Sequence, residues 1–334
     1  MEFHEKRRQQ FLGEKYYVQE LKDMERGIEL FGSKPAGSGD TELEGWMISY
    51  RSIANDKFER LCLRYTAGEP IEPLRAELEE VIAAYERYGE QLWKYTGDRN
   101  EVVFSFVDLD EYCQLLQIIG LCFLLHRRDL LPRVAALQDG ENGATGGCDW
   151  LFEEIMSHAV GPESRYESEQ LCCGKPYEPL ADAFCDETPN DALKNVDRFL
   201  KRWYKDLAGT GWHDAHIEQA GYYGYWSFEA GAAVLLLGIE DDSSLHKYLY
   251  YPKHLVAWAK ENAHRFPDGG MTPTTTNRPN VPAGTPCPET GWWFTPAQSA
   301  SRRYFKQGET MPSLGGDYGL TFWQWSPDQS APSL

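Results

Sequence analysis

The segment Trp212-His213-Asp214-Ala215-His216-Ile217-Glu218 has the spacing in this chain best suited to a metal ion. On a helix, His213 and His216 stand at i and i+3 and face one ion. Asp214 or a distant carboxylate would complete the set, and the chemistry would be metal-dependent hydrolysis. The internal Glu base of an HExxH arrangement is missing, and histidines at helix ends commonly cap carbonyls or pack on rings. No metal ion is therefore expected here. Other reactive constellations are weaker. Cys172-Cys173-Gly174 is a vicinal pair without a matched His motif. None of the eight cysteines forms a CxxC pair, and no GxSxG nucleophile elbow occurs. The Gly-rich run 139–147 lacks the Lys-Ser/Thr ending of a phosphate loop and reads as a connector. These patterns supply no catalytic residue and call for no cofactor.

One carboxylate stands apart. Residues 222–239, YYGYWSFEAGAAVLLLGI, read as a tightly packed buried helix with Glu229 in the middle. On that helix Trp226, Ala230 and Ala233 share a face, and Gly231 with the alanines lets a neighbouring helix approach closely. A buried carboxylate is costly unless paired or hydrogen-bonded. Glu229 is expected to be joined to an Arg, a Tyr or a backbone N–H as a structural anchor, with Tyr222, Tyr223 and Trp226 as its structural companions. Glu240-Asp241-Asp242 follows directly. It is either a solvated loop that caps the next turn or an acidic edge presented to a basic partner.

The elements that must position these residues are mostly helices. Charged or amphipathic patterns predict helices over 5–30, 42–66 and 73–94, the last with Leu74, Leu78, Val81, Ile82 and Tyr85 on one stripe. Asp108 is placed to cap a helix containing the Leu-rich run 115–125, and another helix covers 129–138. Residues 191–207 put Leu193, Val196, Phe199, Leu200 and Trp203 on one face; helices at 212–221, 222–239 and 252–264 follow. Beyond these, a Pro/Thr/Gly loop at 271–291 leads into three short aromatic runs at 291–295, 301–305 and 320–325 that favour strands. The expected fold is mainly α, an antiparallel helical array with a small C-terminal β element packed on it. The expected organisation is an N-terminal helical domain over 1–138, a connector over 139–190, a C-terminal helical domain over 191–265, and a loop with an aromatic β tail over 266–334.

Charge narrows the function. The formal net charge is −19. Nucleic-acid binding needs clustered Lys and Arg and is not expected, and an anionic membrane surface is disfavoured for the same reason. A basic protein partner is favoured. The acidity is uneven: residues 266–334 hold five acids and four bases, so −18 of the −19 lies in residues 1–265. The N-terminus has no apolar core of signal-peptide length. The longest apolar run, about 112–125, is too short and too polar to span a bilayer. A cytoplasmic protein with reduced thiols is expected.

Several motifs together resemble a known family. Phe199-Leu200-Lys201-Arg202-Trp203-Tyr204-Lys205, Trp212-His213-Asp214-Ala215-His216, Tyr222 to Ile239, Asp241-Asp242-Ser243-Ser244 and Tyr250-Tyr251-Pro252 resemble, in order and spacing, the C-terminal domain of PoNi immunity proteins. Arg8, Phe11-Leu12, Tyr16-Tyr17, Leu63, Tyr65 to Glu69 and Ile82 to Tyr88 are similar to the companion N-terminal domain. The resemblance implies an all-helical protein without catalytic activity. It implies a cognate toxin as partner, typically a DNase of the restriction-endonuclease-like type delivered by type VI or related secretion systems. An acidic surface that includes Asp214, Glu218, Glu240, Asp241 and Asp242 would then cover a basic substrate groove. The tail over 291–325 is not part of that resemblance.

Overall fold

The structure is a computed structural model that describes residues 2–218, 220–266, 281–295, 301–313 and 322–325. The chain divides into two compact units, Met1–Met271 and Thr272–Leu334.

The helices of the first unit start and stop where the chain supplies caps. Helix α1 is Phe3–Lys6 and α2 is Glu14–Ser33. Helix α3, Glu42–Thr66, begins at Thr41, whose hydroxyl accepts the Glu44 N–H. Helix α4, Ile71–Thr96, follows a short turn and lies against α3; it ends at Gly97, whose φ of +72° closes the last turn. Asp108 caps α5, Leu109–Leu124, by accepting the Glu111 N–H at 3.0 Å. A 3-10 turn at Arg128–Leu130 leads into α6, Leu131–Ala136. Helices α7, Trp150–Val160, and α8, Gly174–Cys185, precede α9, Pro189–Asp206. Thr188 caps α9 and Pro189 occupies its first turn. Helices α10, Ala215–Glu218, α11, Phe228–Leu236, and α12, Lys253–Asn262, complete the set.

Helix α5 lies at the centre. From Leu115 to Leu124 every residue is buried, so no side of it is left for water. Helices α3 and α4 pack on each other, α8 on α9, and α11 against α5, and one continuous apolar core runs from Leu12 to Ala259.

The predicted helices at 42–66 and 191–207 stand nearly as expected. Three others differ. The N-terminal helix is broken: residues 7–13 leave the helix because Arg8 and Gln9 reach across to α3 and to the chain near 225. The helix predicted over 212–221 shrinks to Ala215–Glu218. The helix predicted over 222–239 begins only at Phe228, and residues 222–227 are buried without helical structure. The stretch read as connector contributes α7 and α8, whose Leu151, Phe152, Ile155, Met156, Tyr177 and Leu180 enter the core.

In the second unit, the aromatic runs do form strands. The strands β1 (Val281–Pro282), β2 (Gly291–Phe294), β3 (Arg303–Phe305) and β4 (Phe322–Trp325) make one antiparallel sheet in the order β1-β4-β2-β3. Val281, Cys287, Trp293, Phe305, Met311 and Trp323 form its own small core. Residues 271–280 of the Pro/Thr run and Leu320-Thr321 lie outside the described residues.

Candidate functional site

Residues 222–227 are the polar junction of the first unit. A buried backbone segment outside helix or sheet must find partners for its N–H and C=O groups. Gln9, 1% exposed, supplies several. Its amide oxygen accepts the Tyr225 N–H at 2.9 Å and the Tyr222 hydroxyl at 2.6 Å, and its amide nitrogen donates to the Tyr225 and Leu249 carbonyls. Thr66 donates to the Tyr223 carbonyl and accepts the Trp226 indole N–H at 2.8 Å. Gln117 donates to the Trp226 carbonyl, and the Tyr222 N–H donates to the Tyr16 hydroxyl. Gly224 sits at φ +112°, and a Cβ there would lie 2.1 Å from the Thr66 hydroxyl. This position therefore needs glycine.

Glu229 occupies the first turn of α11 and is 1% exposed. One carboxylate oxygen accepts the Trp203 indole N–H at 2.7 Å and the Ser227 hydroxyl at 2.8 Å. The other has no hydrogen-bond partner. Burial pushes its pKa up to about 7, and hydrogen bonds from its own N–H, Trp203 and Ser227 only partly offset that. Its side-chain partners are a tryptophan and a serine rather than the arginine or tyrosine expected from the sequence. Trp203 in turn stacks on Trp212 and Tyr250.

The candidate metal pair is not assembled. Because α10 starts at Ala215, His213 lies in the turn before it. The His213 Nε2 sits 3.0 Å from the Tyr204 carbonyl, and the His216 Nδ1 sits 2.7 Å from the Tyr225 hydroxyl. Asp214 stands between them at φ +62° and accepts the Tyr204 hydroxyl at 2.7 Å, which holds its carboxyl below the usual range. Among the described residues no three His, Cys, Asp or Glu side chains gather where they could hold an ion.

The acidic corner after α11 separates into two kinds of residue. Asp242 is inward and engaged: it accepts the Tyr251 hydroxyl at 2.6 Å and Lys260 Nζ at 2.9 Å, and lies 3.2 Å from His246 Nε2. Burial pushes its pKa up, but the bonds from Tyr251 and Lys260 outweigh that and leave it below the usual range. Asp241 is exposed and caps the Ser243 N–H at 3.0 Å. Glu240 is exposed, with its carbonyl accepting Lys260. Asp214, Glu240 and Asp241 face water, whereas Asp242 is a structural tie. The Glu218 side chain lies outside those described.

Two sequence models of the PoNe immunity proteins (PoNi) match this chain, the N-terminal one over residues 8–136 and the C-terminal one over residues 147–255. The chain belongs to the PoNi family. Membership supports an immunity protein that neutralises a toxin, and it suggests an inhibitor rather than an enzyme. The fold is also similar to the crystal structure of protein PA2201 from Pseudomonas aeruginosa. That match has a TM-score of 0.59 at 18% identity and covers 77% of this chain and 92% of that one. No protein of curated description matches.

The two PoNi parts share one core and one polar junction. Gln9, Tyr16, Thr66 and Gln117, all within the N-terminal match, satisfy the backbone of 222–227 in the C-terminal match. Residues 272–334 lie outside both matches. Among the described residues no helix is long and apolar enough to cross a membrane. Sequence reasoning passed over Gln9, because a lone Gln in a charged segment carries no pattern. It also passed over Glu59 and the Tyr223 hydroxyl, which come to line one cleft only in three dimensions.

Proposed function

We propose that this PoNi protein neutralises a nuclease toxin of the restriction-endonuclease-like type, delivered by a type VI or related secretion system, by covering its basic substrate groove with an acidic helical surface in the cytoplasm. The observation that carries the reading is the charge: −18 on residues 1–265. Much of the cationic content there is already engaged within the fold. Arg60 pairs with Glu77, Arg127 with Glu79 and Asp129, Arg133 with Glu86, and Arg165 with Asp139 and Glu153. The surplus of carboxylates is left for a basic partner, and a groove that binds DNA is basic. The exposed Asp214, Glu240 and Asp241 belong to that surplus, with Glu218 close to Asp214 in sequence.

The test is co-expression with the toxin encoded beside this gene. Rescue of growth, a complex that co-purifies, and loss of DNA cleavage by that toxin in the complex are the expected results. Rescue without any DNA cleavage by the free toxin would remove the nuclease part of the reading and leave the immunity role.

A further inference from the structure

A cleft of about 380 Å³ opens between α3, the start of α5 and the stretches 211–212 and 220–223. Its walls include Glu59, Asp110, Glu111, Arg51, Gln114 and Tyr223. The single arginine is already taken, since Arg51 pairs with Glu111 at 2.5 Å. Among the described residues Asp110 accepts only the Gly211 N–H. Two groups are left without partners among the described residues. Glu59 makes no hydrogen bond or ion pair with them, and Tyr223, 9% exposed, carries a hydroxyl that makes none either. An acceptor carboxylate and a nine-tenths-buried phenol thus line one cavity with nothing of this chain between them.

With no partner among the described residues, both groups are left to water in the free protein. We propose that the cleft is a receptor for one cationic side chain, the ammonium or guanidinium of a Lys or Arg presented by the toxin, held by Glu59 and Asp110 and capped by the Tyr223 hydroxyl. The volume falls at the small end of ligand pockets, roughly 300–1,000 Å³, and suits one such head group. A cation brings several N–H donors and no acceptor, which complements a wall of carboxylate and phenol oxygens. The proposal rests on the toxin-binding reading for the source of the side chain, but not for its chemistry.

The free protein bears a cost for this arrangement. Partial burial, then Asp56 and Glu20, push the Glu59 pKa up to about 8, so near neutral pH its proton must leave as the cation enters. Asp56 and Cys62 on its own helix, Tyr16 and Glu20 on α2, Tyr85 on α4 and Tyr223 surround it, and none is cationic. Because the folded-state value is raised, stability is lost as pH rises from the ordinary carboxyl range through about 8. Glu59→Gln therefore removes a penalty. Its melting temperature in alkaline buffer should equal or exceed the wild type, so folding does not confound the binding test.

Two titrations decide the matter. Nα-acetyl-L-argininamide and its neutral isostere Nα-acetyl-L-citrullinamide are titrated into the full chain, followed by side-chain NMR of Tyr223. Argininamide should saturate the wild type, bind Glu59→Gln about tenfold more weakly, and outcompete citrullinamide. Equal responses to the two amides, or none to argininamide, overturn the proposal. The neighbouring toxin is then titrated into wild type, Glu59→Gln and Tyr223→Phe. Weakening of about tenfold for the first variant and less for the second is expected. Unchanged affinity in both overturns the proposal while leaving immunity intact. A wild type that takes argininamide but fails to bind the toxin refutes the proposed function and leaves the cation specificity standing.

Discussion

At Glu229 two donors converge on one carboxylate oxygen, and this fixes what each substitution does. Glu229→Ala strands the Trp203 indole N–H and the Ser227 hydroxyl in the core and opens a void; a loss of about 3 kcal/mol is expected in urea melts. Glu229→Gln keeps that acceptor and places its amide nitrogen where the second oxygen already has no partner. It therefore imitates the protonated acid. The folded-state pKa is raised from 4.5 to about 7, so the wild type bears no penalty in acid, and stability falls as pH rises through that window. Relative to wild type, the Gln variant should gain up to about 3 kcal/mol between acid and mildly alkaline pH. A difference that stays flat across the window would mean that Glu229 stays neutral or is paired. The histidines show the same lesson in reverse. His213 and His216 have ligand chemistry and ligand spacing, but each imidazole already has a partner, Tyr204 for one and Tyr225 for the other.

At the scale of elements, the approach of α11 to α5 is set from the α5 side. A Cβ on Gly120 would lie 2.6 Å from the Phe228 carbonyl carbon and 2.8 Å from the Glu229 nitrogen. In an ordinary helix interior Gly→Ala gains about 1 kcal/mol. Here Gly120→Ala meets backbone that cannot swing away, and a net loss of about 2 kcal/mol is expected; a stabilised variant in thermal melts would contradict the close contact. Gln9→Ala should cost on the order of 3 kcal/mol, because it strands the buried Tyr225 N–H and C=O. The exposed Gln19→Ala, beside Asp23, serves as the near-neutral comparison. These two sites also mark where the sequence is legible. Helix α3 was readable to its ends because Thr41 caps it and its pattern is local. Glu229 stood out as a lone carboxylate among apolar residues. The failure at 222–227 has a different cause. Its composition suits a buried helix, but its backbone partners are Gln9, Thr66 and Gln117, far away in sequence. Tertiary pairing of this kind leaves no periodicity to read. The acidic corner misled in part for the same reason, since nothing local distinguishes the inward Asp242 from the outward Asp241.

At the scale of the whole molecule the surplus of −18 over residues 1–265 makes a kinetic prediction. Exposed charge acts mainly on the rate of encounter, because complementary fields draw partners together over distances that salt screens. Contacts formed after docking, including a buried cation in the Glu59 cleft, are screened far less. The two contributions should therefore separate in stopped-flow and dissociation measurements on the toxin complex. Raising ionic strength from low to about half-molar should slow association by roughly tenfold or more while changing dissociation little. Asp241→Asn with Glu240→Gln removes two outward charges and should lower the association rate by a factor of about two, with dissociation unaltered. Glu59→Gln should do the opposite and raise the dissociation rate. An association rate indifferent to salt would remove the electrostatic part of the mechanism. It would leave shape and the cleft to carry recognition, and it would mean that the acidity serves something other than capture of the toxin.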